Sequence, residues 1–284
     1  MPVDLDVEAW GPERASQLAA LWTAAAPDEP LSEDELGGVL WDTPGVVLGD
    51  VAGSAAVAAT TFEADGVLLG SIRLVVVHPD HQRQGVGRTL VEAAESWMAG
   101  RGAVCGGFGS ERPQYLFPGV DFANVAGLCL AEACGYEPVE ASFNMSLPTE
   151  VRVPPPEGVD LRRVVTDADA AAVVAMVGEH WPVFLDEVAP GIEAGGVIGA
   201  FVGQRAVGFC AHSVSRVGWI GPLGTHPDFA GGGIGSALTA AACADLMVAG
   251  LRHAEVCQVG PVRFYASLGG VTTRVFRKFV KQFR

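Results

Sequence analysis

The chain has 284 residues, 49% hydrophobic and 18% charged, the composition of a folded protein of about two ordinary domains. Its net charge of −15 argues against nucleic-acid binding, which is carried by phosphate neutralisation, and no apolar run approaches the ~18 residues of a membrane span. The same charge is compatible with a cationic amine substrate.

In chain order, the acidic opening, Met1 to Glu8, lacks the basic-then-apolar layout of a signal peptide, so a cytoplasmic protein is expected. A strand at 5–10 precedes a helix at 12–26 with proline early in it, then a hairpin of 45–52 with 55–62. A longer strand, 67–77, runs into "HPDHQRQGVG" at 78–87. Val86, Leu90, Ala93, Ala94, Trp97 and Met98 then mark one face of a helix ended by Gly100. A strand at 103–107, a short helix and a last strand follow. Prolines 154, 155 and 156 remove three backbone donors in a row, so a semi-rigid linker is expected at 148–158, between domains 1–147 and 159–284.

The second half repeats the order: a strand at 159–164, a helix from Thr166 or Asp167 through 179, a hairpin of 197–203 with 206–212, and a strand at 217–225. Thr166 with Asp169 three residues on marks that helix start. "HPDFAGGGIG" follows at 226–235, sharing five of ten positions with the first motif at an offset of 148. Ile234, Leu238, Ala241, Ala242 and Leu246 mark the next helix, ended by Gly250, before a strand at 254–259, a short helix and a last strand. A repeat of half the chain means two copies of one domain. Hairpins followed by strand–helix–strand predict an α+β fold in each. The basic residues Arg274, Arg277, Lys278, Lys281 and Arg284 read as a solvated edge strand or tail, with contact to a nucleotide phosphate as the lesser alternative.

The cysteines at 105, 129, 134, 210, 243 and 257 form no C-x-x-C pair, and reduced thiols are expected. His78 and His81, with Pro79 between them, have no third ligand, so no metal site is expected.

Glycines between a strand and a helix aim free N–H groups at one point, at the positive end of the helix, which makes an anion site. A tight strand-to-helix reversal alone would also use glycine; two copies, each after His-Pro-Asp, favour binding. Gln82-Arg83-Gln84-Gly85-Val86-Gly87 resembles the Q/R-x-x-G-x-G/A signature of the GCN5-related N-acetyltransferases. The family's later motif, N-x-x-A-x-x-L-Y-x-x-x-G-F, is matched in part by "NVAGLCLAEACGY" from Asn124 and "QVGPVRFYASLGG" from Gln258. The chain thus resembles a tandem protein of that family, an acetyltransferase moving acetyl from acetyl-coenzyme A directly to a primary amine in a ternary complex.

The resemblance implies that the diphosphate is held by Gln82, Arg83, Gln84, Gly85, Val86, Gly87 and Arg88, and in the second copy by Gly231, Gly232, Gly233, Ile234, Gly235 and Ser236. It implies pantetheine contacts at Val75, Val76 and Val77, at Leu223 and Thr225, and a cofactor role for Asn124. Tyr265 stands where the family's tyrosine protonates the departing sulfur; Ala131 takes that place in the first copy. Tyr265 beside Phe264 also fits plain packing. A backbone N–H near Val77 or Thr225 is the expected oxyanion donor.

The first loop is expected to bind acetyl-coenzyme A more tightly, because Ala230 and a glycine run replace the side chains of the second. Pro222 lies inside the would-be fourth strand, and the resemblance implies a bulge there, where proline is tolerated. The first copy is longer by 14 residues around 110–122, a segment that either covers an acceptor pocket or packs the halves together. No general base stands out; Glu63, Glu111 and Glu255 are all open. The alternative function is an acyl-coenzyme A sensor or scaffold lacking chemistry in one or both copies. An oxidoreductase is disfavoured, because its glycine loop would follow the first strand of a βαβ unit.

Overall fold

Ala55, Val57 and Ala59 enter one hydrophobic core while Ala56 and Ala58 enter another. That alternation is what a strand covered on both faces requires. The computed structural model describes residues 5–109 and 115–283, so Glu111, the opening four residues and Arg284 lie outside the described residues.

Two compact units form, and only one is contiguous: unit 1 is Met1–Ser142 with Val275–Arg284, and unit 2 is Phe143–Arg274. The structural division therefore departs from 1–147 and 159–284.

Unit 1 contains β1 (Val7–Ala9), α1 (Ala15–Ala25), α2 (Glu33–Leu40), β2 (Val46–Asp50), β3 (Ala55–Ala64), β4 (Val67–Val77), α3 (Val86–Ala99), β5 (Cys105–Phe108), β6 (Val120–Asp121), α4 (Val125–Ala133) and the start of β7 (Glu137–Pro148). β1 to β4 pair antiparallel in sequence order and β4 pairs parallel with β5. Ser32 and Glu35 close a capping box at the start of α2, a helix the sequence reading did not include. Leu116 is buried with α1 and α2, and Phe117 stacks on Trp22 at 5.3 Å, so this part of the additional segment packs within unit 1.

Unit 2 holds the rest of β7, then β8 (Asp160–Arg163), α5 (Asp167–His180), α6 (Leu185–Glu193), β9 (Val197–Val202), β10 (Arg205–His212), β11 (Trp219–Thr225), α7 (Ile234–Val248), β12 (His253–Val256), α8 (Val262–Ser267) and the start of β13 (Val271–Gln282). Its strands are ordered β7-β12-β11-β10-β9-β8. β8 to β11 run antiparallel and β11 pairs parallel with β12, the pattern of unit 1. Each unit is α+β, a mixed sheet with helices on both faces.

The last strand of each repeat completes the other's sheet. Met145 of β7 pairs with Val256 of β12 in unit 2, while Val280 of β13 pairs with Gly107 of β5 in unit 1. The basic C-terminal stretch is accordingly no solvated edge. Lys281 meets Glu95, Lys278 meets Glu140, and Arg277 lies over the Phe122 ring. The linker packs too: Val151, Val153 and Val159 lie against the unit 2 core. All six cysteines are free.

Candidate active site

Each long strand carries a bulge. In β4, Ala58 faces Leu74 and Ala59 faces Ile72, leaving Arg73 as the additional residue. In β11, Cys210 faces Leu223 and His212 faces Ile220, so Gly221 and Pro222 share one partner position. Such a bulge switches which side chains face which core. Ile72 and Val75 lie on the α3 face, and Leu74 and Val76 on the α1–α2 face. Parallel pairing also stops there: β4 leaves β5 after Ile72, and β11 leaves β12 after Ile220. The strands part in a V, with Val75 and Val77, or Leu223 and Thr225, half-buried along the open side. Val76 is buried with Leu74, so only its main chain can meet a ligand.

The His-Pro-Asp repeat has a local cause. His78 and His226 each accept the N–H of the aspartate two residues on, at 3.3 and 3.2 Å, starting a single 3-10 turn with proline inside it. The loops that follow share one backbone course. Gly85 and Gly233 cap α3 and α7 at φ +92° and +89°, while Arg83 and Gly231 both turn left-handed, at +61° and +79°. The glycine run thus eases a conformation that Arg83 adopts under strain. Gln82 donates to the Val77 carbonyl at 3.0 Å and Gln84 to the Asp80 carbonyl at 2.9 Å; Arg83 and Arg88 stay exposed. In unit 2 the basic neighbour is Arg205, 2.9 Å from His226 Nε2.

Close packing holds each helix start against its strand. A Cβ on Gly87 would meet Leu130 at 3.3 Å and Val77 at 3.7 Å; one on Gly235 would meet Phe264 and Thr225, each at 3.5 Å. These triplets correspond, and they set Ala131, next to Leu130, against Tyr265, next to Phe264. Both residues are buried. Tyr265 lies in the unit 2 core with its ring 4.8 Å from Phe264, and burial pushes its phenol well above the ordinary range. Asn124 caps α4, its Oδ1 accepting from Gly127 N–H at 2.9 Å.

The two V-shaped openings differ at the bulge. Arg73 is buried, donating to the Val39 carbonyl at 2.7 Å and to Thr43 Oγ1. It is thereby held against α2 at the point where β4 leaves β5. Gly221 stands at the same place in unit 2, at φ +135°, and a Cβ there would meet nothing within 4 Å. A bulge was expected at Pro222, but what the bulged residue meets depends on the packing of α2, so this contrast was not anticipated. The base candidates fare differently. Glu63 is exposed, whereas Glu255 accepts from Asn144 Nδ2 at 2.6 Å and Trp219 Nε1 at 3.1 Å.

The model of the acetyltransferase (GNAT) family matches residues 7–106 and again 173–269. A mycothiol acetyltransferase of Streptomyces scabiei is 32% identical over 70% of this chain and 67% of its own. Another, of Actinosynnema mirum, is 30% identical over 92% of this chain and 94% of its own. The solved tandem GNAT protein from the clavulanic acid biosynthesis pathway superposes with a TM-score of 0.73 at 17% identity, over 98% of both chains. The chain belongs to the GNAT acetyltransferase family and carries two copies of its domain. It is an N-acetyltransferase of the family, whose members use acetyl-coenzyme A as co-substrate.

Proposed function

We propose that the chain acetylates a primary amine on a small molecule by direct transfer in a ternary complex, with the chemistry in unit 2. The observation that carries this is the contrast at the bulge: open space over Gly221, against a buried Arg73 tied to α2. Only unit 2 also keeps the tyrosine.

Acetyl-coenzyme A supplies a thioester whose C–S bond breaks as the amine nitrogen bonds to the carbonyl carbon. Gly231, Gly232, Gly233, Ile234, Gly235 and Ser236 cradle the diphosphate at the positive end of α7, and Leu223 and Thr225 offer main chain to the pantetheine. A main-chain N–H at the opening of β11, near Thr225, faces the developing oxyanion. Tyr265 donates its proton to the departing sulfur, and the proton the nitrogen loses on forming the amide passes through solvent to restore the phenol. Burial raises its pKa, so the phenol is protonated and ready at neutral pH.

Unit 1 binds acetyl-coenzyme A through Val75, Val77, Gln82, Arg83, Gln84, Gly85, Val86, Gly87 and Arg88, with Asn124 shaping the facing helix. Ala131 and the buried Arg73 favour binding there without turnover, the sensor-like role for that copy. The relatives named for mycothiol support a small-molecule acceptor, and the net charge of −15 suits a cationic one. The free thiols support a reducing, cytoplasmic setting. Among the described residues no helix is long and apolar enough to cross a membrane.

Coenzyme A release, measured across a panel of small amines with the full chain and its Tyr265→Phe variant, tests the reading. Turnover that drops with Tyr265→Phe supports it. Tight acetyl-coenzyme A binding without turnover on any amine would favour the sensor.

A further inference from the structure

Asn144 is fully buried on β7, one of the exchanged strands, and every polar atom of its side chain is engaged. Its Nδ2 donates to Glu255 Oε1 at 2.6 Å and lies 3.3 Å from Cys257 Sγ, while its Oδ1 accepts the Gln258 N–H at 3.1 Å. Trp219 Nε1 holds the other Glu255 oxygen at 3.1 Å. Next to it, the Phe143 carbonyl accepts the Val259 N–H at 3.0 Å. Gln258 sits at φ +46°, a left-handed turn that a side-chain-bearing residue adopts only when held there.

This cluster marks where β12 parts from β11, because Ile220 opposite Val256 is their last pair. From that point residues 257–261 lead directly into α8, the six-residue helix that bears Tyr265. A helix so short has little stability of its own and takes its place from its attachments. We infer that Asn144 is a positioning residue for the unit 2 reaction: it locks the turn at Gln258 and thereby sets Tyr265 against the opening. The inference rests on the chemistry being in unit 2. It also makes the unit 2 site depend on a strand that the first repeat supplies.

Steady-state kinetics of the full chain test it. Asn144→Leu should lower kcat by about 10²-fold, the cost of an ångström-scale misplacement, with the KM for acetyl-coenzyme A nearly unchanged. Adding Gln258→Gly should recover most of that loss, since glycine takes a positive φ without being held. In a Tyr265→Phe background Asn144→Leu should cost little more, as two residues acting through one group are non-additive. If the leucine variant does not fold, Asn144→Ser carries the same expectations. A large loss in Tyr265→Phe with none in Asn144→Leu, or losses that multiply, overturns this inference alone. An unchanged kcat in Tyr265→Phe overturns the placement of the chemistry, and this inference with it.

Discussion

Lys281 Nζ donates to both carboxylate oxygens of Glu95 at 2.8 Å, and to the Cys134 carbonyl at 2.8 Å. One ammonium from β13 thus joins α3, the helix behind the first glycine loop, to the end of α4. The pair is only partly exposed, so Lys281→Met should destabilise unit 1 by about 1–3 kcal/mol, leaving Glu95 and a carbonyl without their donor. Denaturant unfolding checks this. The second loop should keep its affinity for acetyl-coenzyme A throughout.

Tyr265→Phe should lower kcat by ~10²–10⁴-fold while changing the acetyl-coenzyme A dissociation constant little, as loss of a transition-state proton donor does. Because burial raises the phenol pKa, Tyr265 adds no falling limb to the pH–rate profile until pH exceeds its ordinary range near ~10. Ala131→Tyr should not restore the loss, since Ala131 is fully buried in the core against α3 and that packing is not shaped for a phenol.

Which copy turns over can be read from two matched substitutions. Gly235→Glu forces a carboxylate against Phe264 and Thr225 at the start of α7, beside the diphosphate cradle, and should abolish turnover; Gly87→Glu, against Leu130 and Val77, should remove binding at the first loop and spare most of the rate. The reverse pattern would move the chemistry to unit 1. Calorimetric titration of the two variants also ranks the loops, with the first expected to bind more tightly because only it adds exposed Arg83 and Arg88.

His212 gives a pH-dependent stability. Its ring is buried, and that burial holds the imidazole pKa below its ordinary value, against the pull of Asp245 3.3 Å away. The unfolded chain therefore takes up the proton first. The contribution is complete above about pH 6.5 and is lost as pH falls toward the folded value, with a slope of at most about 1.4 kcal/mol per pH unit. His212→Gln should flatten that part of the curve between neutral and mildly acid pH. Identical slopes for the two proteins would rule the assignment out.

Much of the fold was legible because periodicity and punctuation agreed. β4 spans 67–77 as expected, and α3 and α7 begin at Val86 and Ile234, after their glycines. α2 and α6 escaped notice because Gly37 and Gly38 interrupt one and Pro190 and Gly191 the other, though Ser32 with Glu35 was a readable signal for the first. The loops and Tyr265 stood out as motifs. Arg73, Gly221 and Asn144 did not, since their meaning comes from a register shift and from strand pairing. Nor does a strand's sequence say which sheet receives it: 271–282 reads as a last strand in either unit.

The exchange of β7 and β13 sets an order of events during synthesis. Unit 1 leaves the ribosome first but lacks a strand until residues 275–284 have been made, so β5 must wait with an open edge while all of unit 2 is translated. Unit 2, by contrast, already has Met145 and Leu147 in hand when its own strands emerge. The later-made unit is therefore the first able to finish folding, and the earlier one closes only when it does.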